Sequence, residues 1–170
     1  MRGDSRAIPY LNDFNTIEHG YDGISNPAKY LEKIRDLRSH GYNGPLGIGL
    51  QGHFVKPNLP YIRSSLDMLA SAGLPIWITE EVYLEEIIRE GSCTSGVKGI
   101  MMWAPWSPKG CYRMCLTDNN FKNFPTGDVV DKILKEWSHQ GFSGTTDENG
   151  FFETSLFYKT IKLKSVITKM

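Results

Sequence analysis

A carboxylate at the end of a short apolar segment is the group in this chain best suited to chemistry. Glu80 follows residues 75–79, an apolar run of strand length, and a helical pattern begins directly after it. In parallel β/α folds the reacting groups lie where strands end and the following loops begin. The structural alternative is that Glu80 and Glu81 stabilise the positive end of the next helix.

Two further apolar segments end in groups that would suit the same site. Gln51 and His53 close one segment and are expected to share a strand face, while Trp103 ends another and Trp106 follows it. An amide and an imidazole can orient a carboxylate and bind hydroxyls, and an indole ring can stack on a sugar. These groups favour a sugar-cleaving site, although a surface histidine and two core tryptophans would explain them structurally.

The first predicted strand also ends in polar residues. Asn12 opens the segment 12–15, and Glu18 follows shortly after it. Turn formation is the structural alternative for these residues, because Asn and Asp commonly form turns.

Side-chain alternation places Ile76, Ile78 and Glu80 on one strand face. If that face points to the interior of a barrel, the Glu80 carboxylate emerges at its mouth.

Alternating strand and helix patterns are expected to position these groups. The strands are predicted over residues 7–14, 46–50, 75–79 and 97–103, and the helices over residues 28–37, 60–72, 82–90 and 126–137. Asn26 and Pro27 form a helix start, whereas Gly73 and Gly91 are expected to end helices. This order predicts an α/β fold with parallel strands and crossover helices.

Four β/α units make up half of a closed eight-stranded barrel, which needs about 200–250 residues. Residues 1–140 are therefore predicted to form half of a (β/α)8 barrel, whose open edges permit self-association. Residues 141–170 are predicted to form a small antiparallel appendage, because Asn149-Gly150 is a strong hairpin signal.

Composition narrows the possible partners. The 170 residues carry a formal net charge of +0, so neither nucleic acid nor an anionic membrane is expected to bind. The three cysteines allow one loop disulfide, Cys111–Cys115, or free thiols, and they lack the second pair that a zinc site requires. No cofactor and no metal is expected. The N-terminus lacks the apolar core of a signal peptide.

Several motifs in order resemble glycoside hydrolase family 10, the endo-1,4-β-xylanases, and above all its plant branch. The motifs are residues 12–18, 47–53, 74–80, 99–106, 110–123 and 125–131. The resemblance implies a (β/α)8 barrel in which this chain supplies strands five to eight. It also implies xylan or another β-1,4-linked polysaccharide as partner, and an extracellular or cell-wall location. The residue roles that it implies are Glu80 as nucleophile, with Asn12, Gln51, His53, Trp103 and Trp106 in the substrate cleft.

The chain departs from the family at two points. The family's general acid/base, a Glu at the end of strand four, has no counterpart here, and the segment after Glu80 is shorter than in the family. Glu81 is therefore an alternative nucleophile. A retaining glycosidase needs two carboxyl groups about 5–5.5 Å apart, so the isolated chain is expected to be weak or inert. The alternatives are a non-catalytic carbohydrate-binding pseudoenzyme fragment and a fragment that does not fold stably.

Overall fold

The computed structural model describes residues 6–54, 56–79, 84–103, 105–111, 115–138 and 144–151. It divides into two compact units, Met1–Asp131 and Lys132–Met170, and each is considered by itself. The strands are β1 (Tyr10–Asp13), β2 (Gly47–Gln51), β3 (Ile76–Thr79) and β4 (Val97–Met101). The helices are α1 (Pro27–Ser39), α2 (Leu59–Ala70), α3 (Leu84–Cys93) and α4 (Pro125–Trp137).

Asparagine caps and early prolines start the first two helices. The Asn26 side chain accepts a hydrogen bond from the Lys29 backbone N–H at 3.1 Å, and Pro27 begins α1. Asn58 does the same for the Tyr61 N–H at 3.3 Å. Each cap satisfies a donor that the first turn leaves without a helical partner. The predicted cap at Asn26 is confirmed.

The predicted stop at Gly91 is wrong, because α3 continues to Cys93. A Cβ built on Gly91 would lie 2.9 Å from the Ile78 Cδ1 atom. The glycine therefore allows the helix to approach β3 closely, a packing role that sequence cannot distinguish from a stop signal.

The four strands form one parallel sheet in the order β1-β2-β3-β4. Tyr10 pairs with Gly47, and Gln51 pairs with Thr79, so consecutive strands are neighbours throughout. Parallel neighbours joined by helices confirm the predicted α/β class with crossover connections. The arrangement is consistent with part of a (β/α)8 barrel.

One face of the sheet packs against the helices and forms the core. Ile76 and Ile78 are fully buried, together with core side chains of α2 and α3: Ile62, Leu66, Leu69 and Ile87. The described part of the face that alternation assigns to Glu80 therefore points to the helices. The position of the Glu80 carboxylate at a barrel mouth was conditional on this face pointing to a barrel interior. Ile76 and Ile78 do not meet that condition, because the helices cover their apolar side chains, and Glu80 itself lies outside the described residues.

Described residues of the second unit include a tight turn. The Asp147 N–H donates to the Phe151 carbonyl at 2.8 Å, and Gly150 adopts a positive φ of 83°. The sequence also predicts two strands after this turn, over residues 151–154 and 156–166. They lie almost wholly outside the described residues, so the antiparallel appendage stays a prediction. Every helix in the described ranges is too short or too polar to cross a membrane.

Candidate functional site at the strand ends

A hydrogen bond between β1 and β3 crosses the strand that separates them. The Thr79 hydroxyl donates to Asn12 Oδ1 at 3.0 Å. Gly49 of β2 lies between the two side chains, and a Cβ built there would be 2.8 Å from the same oxygen. Only a glycine leaves room for this crossing. The polar ends of β1 and β3 are therefore joined immediately before Glu80.

Aromatic rings occupy the same sheet face, opposite the helices. The rings of Tyr10 and Trp77 meet edge to face, with centroids 6.1 Å apart. A Cβ on Gly47 would lie 2.3 Å from Tyr10 Cε1, and one on Gly99 would lie 2.8 Å from Trp77. Small residues on β2 and β4 thus make space for the rings of β1 and β3.

Sequence reasoning did not name Tyr10, Trp77 or Thr79 as site residues. Alternation along the predicted strand places Trp77 and Thr79 on the face opposite to Ile76 and Ile78. The glycines Gly47, Gly49 and Gly99 are the sequence feature that could have indicated these residues. Glycine within a strand often marks a place where other groups approach the backbone closely.

Gln51 and His53 do not share a strand face. β2 ends at Gln51, where the side chain is half-buried, and His53 is exposed in the following loop. The chain turns there, and the Phe54 N–H bonds back to the Gly52 carbonyl at 3.1 Å. Because the chain is no longer extended at His53, the alternation of side chains along a strand does not apply to this residue.

Glu18 connects the loops that follow β1 and β2. Its carboxylate accepts from the Ile17 N–H at 3.1 Å and from the His53 N–H at 3.4 Å. The residue is only 6% exposed, and burial raises the pKa of the Glu18 carboxyl above its ordinary value, against the opposing effect of these backbone hydrogen bonds. Glu18 is therefore a buried link between two site loops, a role that sequence reasoning missed.

Trp103 and Trp106 lie on the connection from β4 to α4. β4 ends at Met101, so Trp103 follows the strand by two residues instead of ending it. Trp103 is 55% exposed and Trp106 is 40% exposed, which is contrary to the reading of both as core residues. A disulfide joins Cys111 to Cys115 in the same connection.

Glu80 and Glu81 lie outside the described residues, so the assignment of the nucleophile stays a prediction. Among the described residues, a hydrogen bond joins Thr79 to Asn12, and Gln51 pairs with Thr79 in the strand register. The Glu18 carboxylate accepts a hydrogen bond from the His53 backbone N–H. Strand ends that carry polar groups, in a four-stranded parallel sheet backed by helices, are consistent with part of a β/α barrel.

Known proteins of this type are similar in sequence and in fold. The chain is 40% identical over 172 residues to endo-1,4-beta-xylanase 5 of Arabidopsis thaliana, covering 91% of this chain and 30% of that relative. Its fold matches xylanase 10B from Thermotoga maritima with a TM-score of 0.53 at 23% identity, over 78% of this chain and 48% of that one. It also matches a GH10 endoxylanase from a sugarcane soil metagenome, with a TM-score of 0.53 at 19% identity, over 76% and 50% of the two chains.

These similarities confirm the resemblance to glycoside hydrolase family 10. The chain is a partial-length relative of the family's endo-1,4-β-xylanases, with plant enzymes among the similar sequences. It spans 30% of the length of the Arabidopsis thaliana relative. No family model matches the chain.

Proposed function

We propose that this chain carries the nucleophile half of a retaining endo-1,4-β-xylanase site that acts on xylan. Glu80 is the nucleophile in this proposal. The substrate-binding residues are Asn12, Gln51, His53, Trp103 and Trp106. The observation that carries the proposal is the 3.0 Å hydrogen bond from Thr79 to Asn12, because it joins two polar strand ends one residue before Glu80. Such preorganisation is what a strand-end active site requires.

The reaction needs two carboxyl groups with different tasks. The nucleophile attacks the anomeric carbon, while the second carboxyl protonates the leaving oxygen and later activates water. Glu18 is poorly placed for the second task, since it is 6% exposed and its oxygens accept backbone hydrogen bonds. Without a general acid the rate falls by about 10²–10⁴-fold, so the chain alone is expected to be weak or inert.

A second candidate function is carbohydrate binding without turnover. Its supporting observation is the exposure of Trp103 and Trp106, at 55% and 40%, on the β4–α4 connection. Exposed indole rings can bind sugar faces by packing alone and need no carboxylate. An extracellular or cell-wall location, taken from the family resemblance, fits both candidates.

The decisive experiment measures reducing sugar released from xylan. The 170-residue chain should release no measurable sugar, whereas the chain joined to the upstream half of the similar Arabidopsis thaliana xylanase should be active. In the joined protein, Glu80→Gln should reduce activity to that of the chain alone, because the neutral amide cannot act as the nucleophile. Glu81→Gln is the matched control and should retain activity.

Three results would contradict this proposal: robust hydrolysis by the chain alone, full activity in Glu80→Gln, or loss confined to Glu81→Gln. Saturable xylan binding by an inactive joined protein would favour the second candidate. Circular dichroism of each variant would verify that the helices and the sheet are retained.

A further inference from the structure

The outer strands of the described sheet offer edges that can pair with another chain. In the order β1-β2-β3-β4, β1 and β4 each have a described neighbour on one side only. All three neighbouring pairs are parallel. Unpaired backbone groups at a strand edge can accept a further strand. The outer edge of β4 in one copy of the chain can therefore pair with the outer edge of β1 in another copy as a fourth parallel pair.

The aromatic rings on the sheet face opposite the helices form half of a barrel layer. In an eight-stranded barrel each interior layer holds four side chains, which come from alternate strands. Tyr10 of β1 and Trp77 of β3 are in ring contact, and their register partners on β2 and β4 are Gly47 and Gly99, which have no side chain. Both rings are half-buried. Two copies of this sheet would supply four rings from alternate strands, which is the number that one layer requires.

A groove of about 340 Å³ lies beside β1. It is lined by Leu11 of β1 and by the α1 residues Lys33, Asp36, Leu37 and His40. Leu11 is half-buried and Leu37 is 38% exposed, so part of the apolar lining contacts water. In a closed β/α barrel the next β/α unit lies beside each strand and its helix. The groove is therefore at the place where an added unit would pack.

The two sheet edges carry opposite charges. Asp36 is exposed in the groove beside β1, and Lys98 is exposed on β4. The other lysine of the groove, Lys33, forms an ion pair with Asp13 of the same chain. Opposite charges at the two edges favour an arrangement in which β4 of one copy meets β1 of another.

We infer that the partner of this sheet is a second copy of the chain, and that β4 of each copy pairs with β1 of the other to close one eight-stranded barrel. A rotation of half a turn about the barrel axis relates the copies, so the two junctions are identical and no edge of the sheet stays open. A second copy fits better than an unrelated protein, because it supplies the complementary edge, the two further rings and the opposite charge.

The inference has a consequence for the strand ends. All eight strands run in the same direction, so the strand-end residues of both copies, Asn12, Gln51 and Thr79, lie at one mouth of the barrel. The pairing uses strand edges, the inner face and two surface charges, and it does not depend on the role of Glu80. It therefore goes beyond the proposed function and can be tested without an assay of activity.

The test is sedimentation equilibrium of the 170-residue chain over a range of concentrations. The mass should rise to twice that of one chain and no further, because a closed barrel has no edge for a third copy. Asp36→Lys and Lys98→Glu should each raise the dimer Kd about tenfold, because each change places like charges at both junctions. An equimolar mixture of the two variants should recover the parent Kd, since the mixed dimer joins opposite charges at both junctions.

The matched control is Asp67→Lys, which reverses an exposed charge on α2, away from both sheet edges, and should leave the Kd unchanged. The inference is overturned if the chain stays monomeric, if its mass grows beyond two copies, or if the mixture dimerises no better than each variant alone. Circular dichroism of each variant verifies that the helices and the sheet are retained.

Failure of the proposed function is a separate result. An upstream half-barrel joined to this chain covers both edges, so the joined protein should be monomeric whether or not it hydrolyses xylan. A dimeric 170-residue chain together with an inactive joined protein would retain the inference and remove the hydrolase assignment. A monomeric chain together with an active joined protein would do the opposite.

Discussion

At the scale of single residues, Glu18 shows how a carboxylate near a site can have a role other than catalysis. It is buried, and its two oxygens accept backbone N–H groups from Ile17 and His53. These hydrogen bonds tie together the loops that follow β1 and β2. Burying a charged carboxylate costs free energy, whereas burying the protonated acid costs less. The contribution of Glu18 to the stability of the fold therefore depends on pH.

Glu18→Gln should flatten the dependence of stability on pH. The pKa of Glu18 in the folded protein is raised above its ordinary value of 4.5, chiefly by burial. The folded state therefore holds this proton more tightly than the unfolded state, so the Glu18 contribution to stability declines as pH rises from 4.5 through the folded-state pKa. The amide removes this decline and keeps an acceptor oxygen. Urea unfolding between pH 4.5 and pH 7 measures the difference.

The matched control is Glu148→Gln, which changes an exposed carboxylate in the other compact unit and should leave the pH dependence unaltered. Equal slopes for the parent chain and Glu18→Gln would contradict the assignment of the pH dependence to Glu18.

At the scale of elements, Tyr30 attaches α1 to the sheet at two strands. The phenol is fully buried, donates to the Leu11 carbonyl of β1, and accepts from the Gly49 N–H of β2 at 3.3 Å. Lys33, one turn later, forms an ion pair with Asp13 at the end of β1. One face of α1 thus sets the positions of the strands that carry Asn12 and Gly49.

Tyr30→Phe should destabilise the protein by about 1–3 kcal/mol, because it removes the hydroxyl partner of buried backbone groups. The free energy of unfolding in urea measures this loss. Tyr42→Phe is the control, since the Tyr42 hydroxyl bonds to the Pro45 carbonyl at 2.7 Å on an exposed loop. Its effect should stay within about 0.5 kcal/mol. A cost for Tyr30→Phe no larger than that of Tyr42→Phe would show that the bridge contributes little.

At the scale of the molecule, the described strands form a parallel sheet with an edge at β1 and another at β4. Strand edges offer backbone donors and acceptors to other chains. Apolar side chains lie near both edges, with Ile8 47% exposed before β1 and Met101 48% exposed at the end of β4. These features support the prediction of self-association and the proposal that an upstream half-barrel completes the site.

Met101→Lys should reduce self-association, because a charge on an edge strand opposes pairing with a second copy. The measurement is the weight-average mass by sedimentation across a range of concentrations. The matched control is Met68→Lys, since Met68 is 47% exposed but lies on α2, away from the strand edges. A parent chain that stays monomeric, or two lysine variants that behave alike, would rule out association through the sheet edge.

The order of the elements was predictable from local patterns. Asn26 and Pro27 marked the start of α1, and the four strands and four helices of the described residues lie close to their predicted ranges. The motifs around Asn12, Gln51 and Trp103 also led to the family, as the comparisons confirm. Caps, apolar periodicity and short motifs depend on residues near one another in the chain, so sequence alone reveals them.

Contacts between distant segments were decided by the tertiary structure. The burial of Ile76 and Ile78 beneath helices, the departure of His53 from β2, and the hydrogen bond from Thr79 to Asn12 all depend on how strands and helices pack. The burial of Glu18 likewise requires two loops separated by a whole helix and strand to meet. A polar side chain acquires its pKa and its partners from groups remote in sequence, and only packing determines which groups those are.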